Sequence, residues 1–215
     1  MTDYCGGPEA IGESCVEFTE FMHYQYLPVK LAGNDEIRIP ERLEFLRPLV
    51  DLAVDKEGKD GWYIYVTARH GWATADNPIN RPGWHTDGFG TDDVNYIWWD
   101  GDGTRFTSQT FTDISDDHIV SMGQFEEQID PTKVYTEVGG LLYRLIPVVV
   151  HSTPQIVTPH MRSFVKISFS EHRYNLQGNS HNYLFAYNWR MYSRDEVRND
   201  PYMAESDFVL TNTRS

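Results

Sequence analysis

From Pro40 onward, Leu43, Leu46, Leu49, Val50 and Ala53 recur at intervals of three and four. That spacing predicts an amphipathic helix over about 41–57 with its apolar stripe turned inward. Gly58 and the charges around it end the helix. Beyond it the period shortens to that of strands, in runs separated by Gly, Asp, Asn and Pro. The runs fall at 62–68, at the segment carrying His85 and Asp87 after a loop at 71–82, and at 95–99, 104–110, 134–138, 141–146, 148–152 and 162–171. Asp100-Gly101-Asp102-Gly103 reads as a hairpin turn between two of them. Ile114, His118, Ile119, Met122 and Phe125 keep a helical spacing, which predicts an inserted helix or lid over 114–129 with Ser115 as its cap. Residues 1–40 show no sustained period. Phe18, Phe21, Met22, Tyr24 and Tyr26 fit a short helix followed by an edge segment that covers the core.

Roughly eight short strands from Trp62 onward is the number expected of two packed sheets in a jelly roll. The expectation is an all-β core with flanking helices, a double-stranded β-helix of the cupin-like kind. The 215 residues suit a single domain. Its core would span about 60–171, with a cover over 1–59 and an extension over 172–215.

Composition supports this and narrows the partners. Aromatic residues make up 14% of the chain, and they favour strands over helices. The net charge of −14 repels phosphate backbones and anionic lipid at long range, and no basic patch in the sequence reverses it. Nucleic acid is therefore disfavoured, and a cationic or neutral small molecule suits the charge better than a polyanion. Cys5 and Cys15 are too few for a disulfide framework, the start lacks a signal-peptide pattern, and no apolar run is long enough to span a bilayer. These features together predict a cytoplasmic protein with reduced thiols. Oligomeric state is not legible.

Candidate chemistry centres on Trp84-His85-Thr86-Asp87-Gly88-Phe89. In an extended strand, residues two apart face the same way, so His85 and Asp87 would offer an imidazole and a carboxylate together. His151 closes the apolar run before it and would complete two histidines and a carboxylate, the set used by non-haem iron oxygenases. Each residue has a plainer alternative: a hydrogen-bonded pair on a sheet surface for His85 and Asp87, and a satisfied core residue for His151. A His-x-Asp spacing is weak without its context.

The order of these residues resembles the iron(II)/2-oxoglutarate-dependent dioxygenases, whose pattern is His-x-Asp/Glu, a distal His, then Arg or Lys on the last core strand. The matching residues are His85, Asp87, His151 and Arg162, with Lys166 as a rival for the last place. Gly139-Gly140-Leu141-Leu142-Tyr143 resembles the glycine-led strand that precedes the distal His in this family. The resemblance covers about 60–170. It implies that His85, Asp87 and His151 bind Fe(II), that Arg162 or Lys166 pairs with the far carboxylate of 2-oxoglutarate, and that the chain hydroxylates a small molecule. The family often carries Arg-x-Ser on the last strand, whereas here that spacing belongs to Lys166-Ile167-Ser168. Arg162 is favoured because a planar guanidinium grips a carboxylate bidentately.

Tyr96 is a candidate hydrogen-bond partner of the cosubstrate, and Trp84, Phe89 and Trp98 are candidate substrate contacts or plain core aromatics. His70, His118, His160, His172 and His181 fall outside the required order. The polar segment 174–182 is a rim loop or a plain surface loop, and no chemistry is legible from Trp189 onward. Three other readings stay open: a cupin-like binding module without turnover, a zinc-dependent hydrolase or isomerase, and an oxygenase acting on a nucleobase or a protein side chain.

Overall fold

A computed structural model describes residues 3–58 and 60–194 of the protein. The strands β1 (Glu9–Glu13) and β2 (Met22–Lys30) precede a 3₁₀ turn over Glu41–Leu46 and the helix α1 (Arg47–Glu57). Then come β3 (Tyr63–Ala73), β4 (Val94–Trp99), β5 (Arg105–Thr107), the helix α2 (His118–Gln128), β6 (Val134–Thr136), β7 (Leu141–Leu145), β8 (His151–Ser152) and β9 (His160–Ser170). A six-stranded antiparallel sheet has the order β1-β7-β4-β9-β3-β2, and a three-stranded one the order β6-β5-β8. The core is thus antiparallel β with few helices. No helix among the described residues is long and apolar enough to cross a membrane.

Alternation along the central strands sorts their residues into two layers. Val94, Tyr96 and Trp98 of β4 and Val165, Ile167 and Phe169 of β9 face outward and pack with Leu43, Leu46, Leu49, Val50 and Ala53. All five residues of that helical stripe are fully buried, each of the leucines contributing about 1.5–3 kcal/mol by removal from water. On the inward side Ile97, Trp99, Tyr143, Leu145 and Phe164 meet Phe106 of the smaller sheet and Val149 of the loop that leads into β8. Because both faces are covered, polar residues also end up buried, such as Asn95, whose Oδ1 accepts from Ser168 Oγ at 2.6 Å.

Several expectations are corrected. The stretch expected as one helix over 41–57 breaks at Arg47: Pro48 sits in the first turn, where a ring without an N–H is tolerated, so the chain before it winds as a 3₁₀ turn. Gly58 does end α1, at φ 53°, with its N–H donated to Val54 O at 2.9 Å. Where a short helix was expected near 18–26, Met22 begins the edge strand β2, in which Tyr24 pairs with Ala68 of β3; a bulge around Tyr26, at φ 46°, re-aims its side chain. Asp117, not Ser115, caps α2, its carboxylate accepting from Ile119 and Val120 N–H at 2.8 and 3.0 Å. Ser115 Oγ accepts instead from Asp117 N–H, so it supports the capping residue.

The turn at 100–103 is not a hairpin, since β4 and β5 lie in different sheets and the turn carries the chain across. The Asp100 carboxylate takes up Ser163 N–H and Oγ at 2.6 Å each, while a Cβ at Gly103 would press to 3.1 Å against both Trp99 Nε1 and Glu137 O. Among the described residues seven strands follow residue 60, one fewer than expected. The missing one is the segment with His85, where Pro82 and Gly83, at φ 90°, allow only a single bridge to His151. Residues 195–215, the end of the expected extension, lie outside the described residues.

Candidate metal centre

That single bridge builds the site. His85 and His151 exchange both backbone hydrogen bonds at 2.9 Å, which brings their rings together at a tilt of 54° with centroids 4.6 Å apart. Phe106 of β5 pairs with His151 on its other side and fixes it to the smaller sheet. Each ring is oriented by its own chain: His85 Nδ1 donates to Gly83 O at 2.9 Å and His151 Nδ1 to Val149 O at 3.1 Å. A carbonyl can only accept, so both Nδ1 atoms carry a proton, and in the neutral rings both Nε2 atoms present lone pairs.

Asp87 follows in a tight turn, and its neighbour Gly88 has φ 72°. A Cβ on Gly88 would lie 3.0 Å from Asp93 O, so the turn that aims Asp87 depends on glycine. The outcome is one ligand atom from each of His85, Asp87 and His151, all within 4.8 Å of one another, with His151 Nε2 3.6 Å from Asp87 Oδ2. Two imidazole nitrogens and one carboxylate are the donor set of a borderline divalent metal such as iron(II) or zinc.

The electrostatics suit that role. Burial, with His151 opposite, pushes the His85 imidazole down to about 3, so it is neutral and able to ligate near pH 7. Burial works against charge on Asp87, but Lys166 and then His151 outweigh it and hold the carboxyl well below the usual carboxylate range. Lys166 Nζ lies 2.9 Å from Asp87 Oδ1 and donates to Tyr26 Oη at 3.0 Å. Burial likewise disfavours its charge, and Asp87 and Tyr26 together raise its pKa above that of an ordinary lysine.

The three ligands open into a cavity of about 620 Å³. Its wall includes Tyr26 and Thr67 beside Lys166, Phe89, and His118 and Met122 of α2. Of the other residues singled out from the sequence, Phe89 lines the cavity, stacked near Tyr4. Arg162, Tyr96, Trp84 and Trp98 are not part of its wall. Arg162 is fully buried behind it, donating to Asp102 O at 3.0 Å and to Asn80 Oδ1 at 2.6 Å, and burial brings its pKa down to about 10. Tyr96 and Trp98 are on the outward face of β4, where Tyr96 Oη donates to Glu57 at 2.7 Å and Trp98 Nε1 to Ser14 O at 3.1 Å. Trp84 packs with Phe111 and Phe125 under the guanidinium of Arg105. The loop after β9 does reach the cavity, through Leu176.

Sequence reasoning passed over Tyr26, Thr67, Arg69 and Arg194, which also line the cavity. Thr67 and Arg69 share the inward parity of β3, and a polar pair on the inward side of a buried strand is a readable signal. Tyr26 enters by a bulge and Arg194 from a distant segment, and neither leaves a local trace. The remaining histidines stay outside the triad: His160 Nδ1 bonds Thr158 O, His70 bonds Ser163 Oγ, and His118 stands across the cavity against Phe89.

No protein-family model and no curated protein matches the chain. Solved structures do. EvdO2 from Micromonospora carbonacea var. aurantiaca is 14% identical, over 61% of this chain and 66% of that one, with a TM-score of 0.36. IDO from Bacillus thuringiensis is 11% identical over 69% and 75%, with a TM-score of 0.39. A third, TqaL, is an Fe(II)/(alpha)ketoglutarate-dependent dioxygenase, 11% identical over 65% and 58%, with a TM-score of 0.37. EvdO2 is also known in complex with 2-oxoglutarate. The chain spans less than two thirds of EvdO2 and TqaL, and likenesses this distant assign it no reaction.

Proposed function

We propose that the protein is an iron(II)/2-oxoglutarate-dependent oxygenase that hydroxylates a small molecule, and that its two facing sheets are the walls of a double-stranded β-helix. The observation that carries this reading is the convergence of His85 Nε2, Asp87 and His151 Nε2 at the wall of a cavity, with a buried cation beside them. His85, Asp87 and His151 would hold the iron. Lys166, with the Tyr26 hydroxyl beside it, would hold the far carboxylate of 2-oxoglutarate, since Lys166 lines the cavity whereas Arg162 is fully buried behind its wall, held by Asn80 and two backbone carbonyls. When bound, iron(II) and 2-oxoglutarate supply oxidative decarboxylation and removal of hydrogen from a substrate.

The chain's own part is positioning. The carbonyls of Gly83 and Val149 fix the tautomer that turns Nε2 of each neutral ring toward the metal position, Lys166 keeps Asp87 ionised, and Phe89 with His118 and Met122 of α2 forms part of the cavity wall.

The test is anaerobic addition of iron(II), then 2-oxoglutarate, to the metal-free protein while following the visible charge-transfer band of a chelated cosubstrate. The band should develop in wild type and be lost in His85→Ala and Asp87→Ala. Lys166→Ala should weaken 2-oxoglutarate binding at least tenfold, and Arg162→Ala much less in whatever fraction folds. Metal binding with no band would point to a zinc site or a binding module, and normal iron binding in both ligand variants would refute the triad.

A further inference from the structure

The charge of the cavity is opposite to that of the chain. Against a net −14 overall, the cavity wall carries Arg69, Arg81, Arg194 and Lys166 but only two acids, Asp87 and Asp93. Asp87 is paired with Lys166, and burial raises the Asp93 carboxyl, which binds the Tyr174 hydroxyl. The surplus is positive.

Two of these arginines lie together. Arg69 is half-buried on the inward face of β3, and its hydrogen bonds go only to neutral oxygens, Ile79 O and Gln25 Oε1. Its Nε is buried with no partner. Arg194 donates to Asn179 Oδ1 at 2.5 Å, and its charge reaches Arg69, adding to burial in lowering the Arg69 pKa. The segment bearing Asn179 is tied to Gln25 in turn, through Ser180 N–H to Gln25 O at 2.8 Å and Gln25 N–H to Ser180 Oγ at 3.0 Å. Among the described residues no carboxylate forms an ion pair with either guanidinium. In a chain with 32 acidic residues against 18 basic ones, two interacting guanidiniums with no carboxylate partner among the described residues are costly unless an anion comes to them.

We propose that Arg69 and Arg194 form an oxyanion-binding site, so that the substrate of the oxygenase proposed above is a small molecule bearing a carboxylate or a phosphate group. The inference rests on that reading for the word substrate, but the site itself stands on the arginines. Arg69 is two residues along β3 from Thr67, the partner of Lys166 across the sheet. That is about 7 Å of strand, which leaves separate places for a cosubstrate at Lys166 and a second anion at Arg69.

The test is calorimetric titration of the full-length protein with inorganic phosphate and with propionate at low ionic strength, under nitrogen. It is run with and without iron(II) plus 2-oxoglutarate. At least one probe should bind wild type, and the tighter one names the group. Arg69→Gln and Arg194→Gln should each weaken it at least tenfold while changing 2-oxoglutarate affinity less than threefold, and Arg69→Lys, which keeps the charge but loses the fork, should fall between. Failure of both probes to bind wild type would overturn the proposal, as would unchanged probe affinity in the two glutamine variants. Loss of 2-oxoglutarate binding in Arg69→Gln would overturn it as well, by assigning the pair to the cosubstrate. If wild type binds no iron-dependent 2-oxoglutarate but the arginine variants still lose the probe, the oxygenase reading falls and the oxyanion site stands.

Discussion

Replacing Lys166 by methionine keeps the length of the side chain and removes its charge, which isolates what the lysine does for Asp87. In wild type the pair is 2.9 Å apart with side chains 9% and 16% exposed. Breaking a buried pair by removing one partner costs about 3–5 kcal/mol, because the other charge stays buried without compensation. The residual exposure of Asp87 places this pair at the lower end, about 3 kcal/mol. For a chain of this size about 2–4 °C of melting temperature is lost per kcal/mol, so metal-free Lys166→Met should melt roughly 6–12 °C below wild type. A divalent metal on His85, Asp87 and His151 satisfies the same carboxylate. Adding Mn(II) or Zn(II) should therefore stabilise the variant more than wild type and narrow the gap. Melting followed by circular dichroism, in chelator and in excess metal, reads both numbers. A metal-free loss under about 1 kcal/mol, or a gap that metal leaves untouched, would refute the idea that lysine and metal compete for one buried charge.

Glu57→Gln should cost about 2–4 kcal/mol in urea unfolding, since its buried carboxylate accepts from Tyr96 at 2.7 Å and from Arg144 at 2.8 Å. It lies across the sheet from the cavity, so metal affinity should not change. Gly88→Ala forces a side chain into φ 72° and against Asp93 O at 3.0 Å; about 1–3 kcal/mol of strain and at least a tenfold loss of metal affinity by calorimetry are expected as Asp87 is displaced. Asp93 has a folded-state pKa raised by burial, so its contribution to stability is greatest at low pH and is lost as pH rises through that value. The stability of wild type relative to Asp93→Asn should therefore decline with rising pH, by up to about 1.4 kcal/mol per unit within the titration window, and a difference flat from pH 4 to 8 would contradict the assignment.

Periodicity and residue order along the chain determined a good deal. The stripe from Leu43 to Ala53 needs only its own spacing to declare a buried helix face, and each of its residues is buried. His85, Asp87 and His151 were legible as a candidate set because a metal site restricts residue types severely. Tertiary structure decided how they meet. His85 and Asp87 converge through a bridge and a glycine turn rather than along a strand, because Pro82 and Gly83 prevent a ladder from forming. The Asp-Gly turn at 100–103 has the local chemistry of a hairpin, yet crosses between sheets, since pairing partners are chosen by long-range packing that no four residues encode. Arg162 and Lys166 have the same parity on β9, so nothing local separates them. What surrounds each one does: Asn80 and the carbonyls of residues 78 and 102 enclose the arginine, while Asp87 and Tyr26 draw the lysine to the metal site. The positive cavity within an acidic chain was equally invisible beforehand, because net charge sums over the whole surface and a pocket is lined by the few side chains that folding gathers from β3 and from a segment more than a hundred residues away.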